Sequence, residues 1–187
     1  MTYAVFALWL GVAGAVQPVA LPKVGSCPSG YSTSGDYCSP GSSARYAVIK
    51  TGSCPSGYST SGAYCLASGD EARHAMAKQG SCPSGYATSG DYCLANSVKE
   101  TSEPERLAAC AVPKVGSCPS GYSTSGDACV PGSSARFAVA KVGACPSGYA
   151  TSGDYCLASG DSSRHAVAKV GSCPSGYSTS GDYCLAN

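Results

Sequence analysis

A twelve-residue motif that occurs six times constrains this chain more than any other feature. Its pattern is Cys-Pro-Ser-Gly-Tyr-x-Thr-Ser-Gly-x-x-Cys, and successive copies begin 27, 28, 36, 27 and 28 residues apart. A regular period of this length indicates a repeat fold, in which each unit is too small to bury an apolar face alone. We therefore predict six units of about 27 residues instead of one conventional core.

The six units form two triads. Residues 23–96 align without a gap to residues 114–187, with 61 identities in 74 positions. The sequence thus predicts a first triad over 21–96, a charged linker over 97–113 and a second triad over 114–187. Pro104 suits the first turn of a short helix within that linker.

The composition fits a chain that is stabilised by disulfides. Leu, Ile, Val and Phe together number 25 of 187 residues, below the ~20% typical of chains that fold around an apolar core. The chain instead carries 13 Cys, 24 Gly and 32 Ser, a combination typical of small secreted scaffolds. The formal net charge of +1 gives no basic surface for nucleic acid or for anionic lipid. We expect neither as a partner.

Residues 1–20 contain an apolar run, 3–16, that is shorter than the ~20 residues needed to span a bilayer. The run ends in Ala13-Gly14-Ala15, a small-x-small pattern that signal peptidase could cleave. A secretory signal is the first interpretation, and it predicts an extracellular protein without integral membrane association. Two alternatives stay open: a short buried strand or helix, or an apolar tail docked into a neighbouring subunit.

Twelve of the cysteines form six pairs with ten residues between partners. Pairing within units leaves no repeat cysteine over, whereas pairing between consecutive units would orphan Cys27 and Cys93 in the first triad. The predicted disulfides are Cys27–Cys38, Cys54–Cys65, Cys82–Cys93, Cys118–Cys129, Cys145–Cys156 and Cys173–Cys184. The remaining cysteine, Cys110, lies in the charged linker and is a candidate for an intermolecular disulfide. No pair has the spacing of zinc ligands, and we expect no metal or other cofactor.

The local pattern predicts an all-β, loop-rich array of units. Thr33–Asp36 suits a type II turn with Gly35 at its third position. Residues 45–50 predict a short strand that enters the next unit, as do 73–78, 136–141 and 164–169. No helix-length stretch with a period of 3.6 residues is present in the repeats.

Several side chains recur at one place in the unit. The tyrosines are expected to cover the disulfides as a core, and the aspartates to cap turns. The lysines that precede each unit could pair with aspartates of stacked units. His74 and His165 follow arginine in equivalent places and lack the context of a catalytic site. We expect no enzyme.

The unit Cys-Pro-Ser-Gly-Tyr-x-x-x-Gly-Asp-Tyr-Cys resembles the disulfide loop that opens many C-type lectin-like domains. The resemblance covers about a dozen residues per unit and implies the within-unit disulfide. The later part of that domain, which carries its calcium and sugar ligands, has no counterpart here. The whole pattern also resembles uncharacterised secreted bacterial proteins with tandem CPSGY repeats.

Six near-identical units predict an extended object with a repeating surface. The first functional hypothesis is an extracellular structural protein, the self-assembling subunit of a filament or surface layer, in which the last unit of one subunit meets the first unit of the next. The alternative is a multivalent module that binds glycan, mineral or ice weakly through each loop.

Overall fold

A computed structural model describes residues 18–69, 72–97, 109–160 and 162–187. The predicted fold class is confirmed: these residues form eighteen short strands in six three-stranded antiparallel sheets, one sheet per unit. The described ranges contain no helix. The first triad comprises units 1 to 3 and the second triad units 4 to 6.

Each unit contributes three consecutive strands. The first strands of units 1 to 6 are β1 (Leu21–Pro22), β4 (Ala47–Ile49), β7 (Ala75–Ala77), β10 (Val112–Pro113), β13 (Ala138–Ala140) and β16 (Ala166–Ala168). The second strands are β2 (Tyr31–Ser34), β5 (Tyr58–Ser61), β8 (Tyr86–Ser89), β11 (Tyr122–Ser125), β14 (Tyr149–Ser152) and β17 (Tyr177–Ser180). The third strands are β3 (Tyr37–Pro40), β6 (Tyr64–Ala67), β9 (Tyr92–Ala95), β12 (Ala128–Pro131), β15 (Tyr155–Ala158) and β18 (Tyr183–Ala186).

The third strand lies in the middle of every sheet, between the first and the second. In unit 1 the second and third strands form a hairpin whose closing pair is Ser34 and Tyr37. The loop is therefore Gly35-Asp36, with Gly35 at a φ of 58° as the first of two central residues. This differs from the predicted type II turn, because a two-residue hairpin needs a turn whose twist matches the strands and places glycine first.

One disulfide closes each unit, and it joins the loop before the second strand to the third strand. The six bonds are Cys27–Cys38, Cys54–Cys65, Cys82–Cys93, Cys118–Cys129, Cys145–Cys156 and Cys173–Cys184. Their Cα–Cα distances of 5.3–5.4 Å lie within the usual range for a disulfide. Six disulfides are typical of a protein that folds in an oxidising compartment.

Neighbouring units are joined by the same contacts around the molecule. In the junction of units 1 and 2, the buried Tyr64 hydroxyl donates to the Pro22 carbonyl at 2.8 Å and accepts from the Val24 amide at 2.7 Å. Beside it, the Ser61 hydroxyl accepts from the Ser29 amide at 3.0 Å. The serine contact recurs in all six junctions, with distances of 2.7–3.1 Å.

The sixth of these junctions joins the last unit to the first, so the chain closes into a ring. Tyr37 of unit 1 donates to the Ala168 carbonyl at 2.8 Å and accepts from the Val170 amide at 2.5 Å. The Ser175 amide donates to Ser34 at 2.7 Å. The last unit therefore contacts the first unit of its own chain. In this ring the two faces that the predicted head-to-tail contact between subunits would use are occupied within one chain.

The core lies in these junctions. The tyrosine that begins the third strand is fully buried in five units, as Tyr37, Tyr64, Tyr92, Tyr155 and Tyr183. Its hydroxyl lies against a cysteine sulfur of the preceding unit, as Tyr64 does at 3.5 Å from Cys38. The tyrosines thus cover disulfides as expected, but each covers the neighbour's bond, and so ties two units together.

Part of the predicted linker belongs to the fold. Val112 and Pro113 form the first strand of unit 4 and pair with Cys129 and Ala128, as Leu21 and Pro22 pair with the third strand of unit 1. The turn predicted at Pro104 and the apolar run 3–16 lie outside the described residues.

Candidate functional site: the central channel and the valine face

The first strands lie around the axis of the ring and line an open cavity, which we call the channel. First-strand residues of units 1, 3, 4, 5 and 6 line a cavity with a volume of about 430 Å³. Met76, Val139 and Val167 line its middle. The channel wall is therefore predominantly apolar.

One position of the repeat comes two residues before the position that is occupied by Met76, Val139 and Val167 in units 3, 5 and 6. It contributes six side chains, one from each unit. In four units they follow an arginine: Arg45, Arg73, Arg136 and Arg164. The residue type at this position varies between units. We call them the axial residues: Val19, Tyr46, His74, Cys110, Phe137 and His165. Tyr46 and His74 are ring neighbours with centroids 6.2 Å apart, as are Phe137 and His165 at 5.1 Å.

The sequence contained a signal for this cluster that our prediction did not use. The 91-residue offset between the triads continues upstream of Lys23 and Lys114, because Ala20 and Pro22 recur as Ala111 and Pro113. Extending the alignment places Cys110 opposite Val19 and ends the linker before Ala109. The charge of residues 97–106 hid this short match.

Both histidines are half-buried among aromatic side chains. The Nδ1 atom of His74 lies 3.0 Å from the Tyr86 hydroxyl, and that of His165 lies 3.4 Å from the Tyr177 hydroxyl. Burial lowers the pKa of each imidazole from 6.5 to about 4. The histidines are therefore neutral at pH 7 and pack as polar aromatic residues. Nothing in this geometry assembles a nucleophile, a base and an orienting group.

A second circle of tyrosines surrounds the axial residues. These are the residues that begin the second strands: Tyr31, Tyr58, Tyr86, Tyr122, Tyr149 and Tyr177. Their hydroxyls bond the backbone of the next unit, as Tyr31 does to the Arg45 carbonyl at 2.9 Å. Burial raises the pKa of all six phenols above the ordinary value of 10. Four of the hydroxyls donate to a carbonyl, whereas those of Tyr86 and Tyr177 accept from the amides of Ala111 and Ala20.

Cys110 occupies the axial position of unit 4, where it is half-buried and lines the channel. Burial, followed by the nearby Cys110, raises the pKa of the Tyr46 phenol well above its ordinary value. The prediction of an intermolecular disulfide at Cys110 depended on the linker being exposed. In the structure the Cys110 side chain lies on the channel wall. Such a disulfide stays a prediction, and its partner would have to reach into the channel.

The valine face lies at the end of the channel opposite the axial residues. It consists of Val24, Val115, Val142 and Val170, each of which directly follows the lysine after a first strand and is 44–49% exposed. Units 4, 5, 6 and 1 are consecutive in the ring, so these valines form one arc. Thr51 and Gln79 hold the same position in units 2 and 3. The described residues have one other exposed large apolar side chain, Ile49, which is two residues from Thr51.

The recurring aspartates lie at this same end, where they cross the junctions. Asp182 lies against Gly143, and Asp36 lies against Gly171, in each case a glycine of the preceding unit. Asp91 also accepts a hydrogen bond from the Ser53 amide at 3.3 Å. The aspartates therefore contact the neighbouring unit's loop, and Asp91 is hydrogen-bonded to it.

The described part of the chain holds no group of three or more His, Cys, Asp or Glu side chains that could bind a metal ion. In the same ranges, no helix is long and apolar enough to cross a membrane. Comparisons with family models, with curated proteins and with solved structures found no match to this chain. The resemblances to C-type lectin-like loops and to CPSGY-repeat proteins therefore stay predictions.

Proposed function

We propose that this protein is an extracellular, non-catalytic structural protein whose rings self-assemble through the valine face, as the subunit of a filament or surface layer. One observation carries the proposal. The five exposed large apolar side chains among the described residues are the four valines and Ile49, and each lies at or just after the end of a first strand, which places them at the same end of the ring. Exposed apolar residues that are scattered singly need no explanation, but a clustered patch marks an interaction surface.

The charges around the valine face favour a second copy of the same ring as the partner. A lysine precedes each valine, as Lys23 precedes Val24, and an exposed aspartate lies against the following glycine in most junctions. Both signs are therefore interspersed on one face, and the chain's net charge is only +1. A face of this kind is self-complementary and causes little repulsion between copies.

The chain supplies its own substitutions for a test. Because Thr51 and Gln79 occupy valine positions in units 2 and 3, Val115→Thr, Val142→Thr and Val170→Thr together should leave the ring intact. We expect the wild-type protein to associate as its concentration rises, in sedimentation velocity and negative-stain images, and the triple variant to stay a single ring. Wild-type protein that stays monomeric at millimolar concentration would overturn the proposal, as would a triple variant that associates equally well.

A control variant separates the valine face from general effects on solubility. Val139 and Val167 line the channel and are not on the exposed face. Val139→Thr should therefore lower the stability of the ring without lowering its tendency to associate. Equal loss of association in both variants would show that the assay reports stability instead of a surface.

The second candidate function is multivalent glycan binding, and the rim of the ring favours it. The second strand is the outer strand of each sheet, and its central residues, such as Ser32 and Thr33, are exposed in every unit. Every unit has a threonine there and four units also have a serine, and such hydroxyl-bearing sites around a circumference could bind a branched glycan with avidity. They cannot all meet one flat face, which disfavours ice or mineral. A glycan array with the wild-type ring tests this, and no binding at high protein density would exclude it.

A further inference from the structure

Two of the six junctions join one triad to the other, and they use the same contacts as the four junctions inside the triads. Between units 3 and 4, the Ser84 amide donates to Ser125 at 2.9 Å. Between units 6 and 1, Ser175 and Ser34 make the same contact at 2.7 Å. Each triad therefore carries two faces that fit the complementary faces of the other triad.

The junction of units 3 and 4 is the weakest of the six. In the five other junctions, a fully buried tyrosine bridges two backbone groups of the preceding unit, as Tyr155 does with Pro113 and Val115. Unit 4 has Ala128 at this place. The junction consequently lacks both the buried ring and the two hydrogen bonds that the hydroxyl makes elsewhere.

The connectivity of the chain also sets this junction apart. The motifs on either side of it begin 36 residues apart, against 27 or 28 in the other connected junctions. The junction of units 6 and 1 is crossed by no peptide bond within the described chain. Separating the triads therefore breaks two junctions and leaves three disulfides and two complete junctions in each triad.

We infer that these two faces of each triad bind the complementary triad of a second copy of the chain, and that two chains exchange triads to form a dimer of two mixed rings. Every junction of the single ring is re-formed in such a dimer, so the two states differ mainly in the entropy of association. Within one chain the triads meet at a high effective concentration, and exchange is therefore favoured by high protein concentration. This exchange does not depend on the valine face.

A disulfide across the weak junction tests the inference in the full chain. The Ser84 and Ser125 hydroxyls lie 3.4 Å apart, and the Ser56 and Ser89 hydroxyls lie 3.3 Å apart inside the first triad. We would compare Ser84→Cys/Ser125→Cys with the matched Ser56→Cys/Ser89→Cys variant. Each is incubated at about millimolar concentration, oxidised, denatured and run without reductant.

Exchange predicts covalent dimers for the Ser84/Ser125 pair, because its two cysteines then bond between chains, and covalent monomers for the Ser56/Ser89 pair. Monomers from both pairs would overturn the inference, as would equal dimer yields. If the new cysteines impair folding, native mass spectrometry of mixed light and heavy isotope-labelled chains carrying the three valine substitutions decides. Mixed dimers there support exchange, and monomers alone overturn it.

The missing tyrosine supplies a rate test. Ala128→Tyr should strengthen the junction of units 3 and 4, which must break before exchange. The same junction is present in both the single ring and the exchanged dimer. We expect the rate at which light and heavy chains mix to fall about tenfold or more, with little change in the final dimer fraction. An unchanged mixing rate in a folded Ala128→Tyr variant would show that the junction of units 3 and 4 does not open.

Discussion

The junctions between units and the axis of the ring follow opposite rules. The junction serine is the same residue in all six units, and the junction tyrosine is the same in five. At the axial position, by contrast, the chain has valine, tyrosine, histidine, cysteine, phenylalanine and histidine. A junction is a contact between two neighbours, so one solution can be repeated by rotation. Six copies of one large side chain cannot all occupy the axis at native packing density.

The largest expected effect comes from breaking a junction. Tyr155→Ala removes a fully buried ring and the hydroxyl's bonds to Pro113 and Val115. We expect the free energy of unfolding to fall by about 3–5 kcal/mol in urea titrations followed by circular dichroism. Tyr155→Phe keeps the ring and should lose only about 1–2 kcal/mol. Equal losses would mean that the hydrogen bonds, and not the buried ring, dominate the junction.

At the axis, the effect should depend on pH. The pKa of His74 and His165 is about 4 in the folded ring and 6.5 when exposed. The unfolded chain therefore binds more protons between these values, and stability falls as the pH is lowered from 6.5 to 4. Each histidine contributes a slope of up to about 1.4 kcal/mol per pH unit.

His165→Phe isolates this contribution, because Phe137 already occupies the equivalent position of unit 5. The free energy of unfolding, measured from pH 4 to pH 7, should lose about half of its histidine-dependent slope in this variant. A slope equal to that of the wild type would show that His165 is protonated as easily in the ring as in the unfolded chain.

An irregular junction residue offers a gain in stability. Ser39 is 6% exposed, and among the described residues its hydroxyl has no hydrogen-bond partner. Four other units have leucine at this place: Leu66, Leu94, Leu157 and Leu185. Ser39→Leu should raise the free energy of unfolding by about 1–2 kcal/mol, because it removes an unsatisfied hydroxyl and buries apolar surface.

Ser39→Ala is the matched control for that substitution, since it removes the hydroxyl without adding volume. It should give the smaller gain in the same urea titration. If Ser39→Leu is less stable than the wild type while Ser39→Ala is not, the junction of unit 1 has closed around the smaller residue and differs from its repeats in shape.

The smallest effect tests the aspartate contact. Gly143 and Gly25 are equivalent and share a φ of 69°. A Cβ at Gly143 would overlap the Asp182 carboxylate, whereas a Cβ at Gly25 meets nothing within 4 Å, because unit 2 has Ala63 in place of aspartate. Both Gly→Ala changes should cost about 1 kcal/mol for the backbone. Gly143→Ala should cost about 0.5 kcal/mol more by thermal unfolding. Equal costs would indicate that Asp182 moves away freely.

The sequence predicted most of what is local. The repeat, the all-β class, the pairing of cysteines within units and the short strands within 45–50, 73–78, 136–141 and 164–169 all depend on residues close together in the chain. The hairpin at Gly35-Asp36 was the local exception, because the turn type depends on the twist of strands whose register was unknown. The start of unit 4 at Val112 was missed because only two identical residue pairs, Ala20/Ala111 and Pro22/Pro113, indicated it in the sequence.

What the sequence by itself determined is the unit: a disulfide-closed, all-β repeat that occurs six times in two triads. In the structure each unit is a three-stranded sheet. Only the tertiary structure decided that six such sheets close on themselves. Closure depends on the rotation between neighbouring sheets, which is set by how Tyr64 and its equivalents seat on the preceding disulfide, and a small change in that angle would give an open spiral. The same closure brought residues as far apart as Val19, Cys110 and His165 to one axis, where no local pattern could have placed them together.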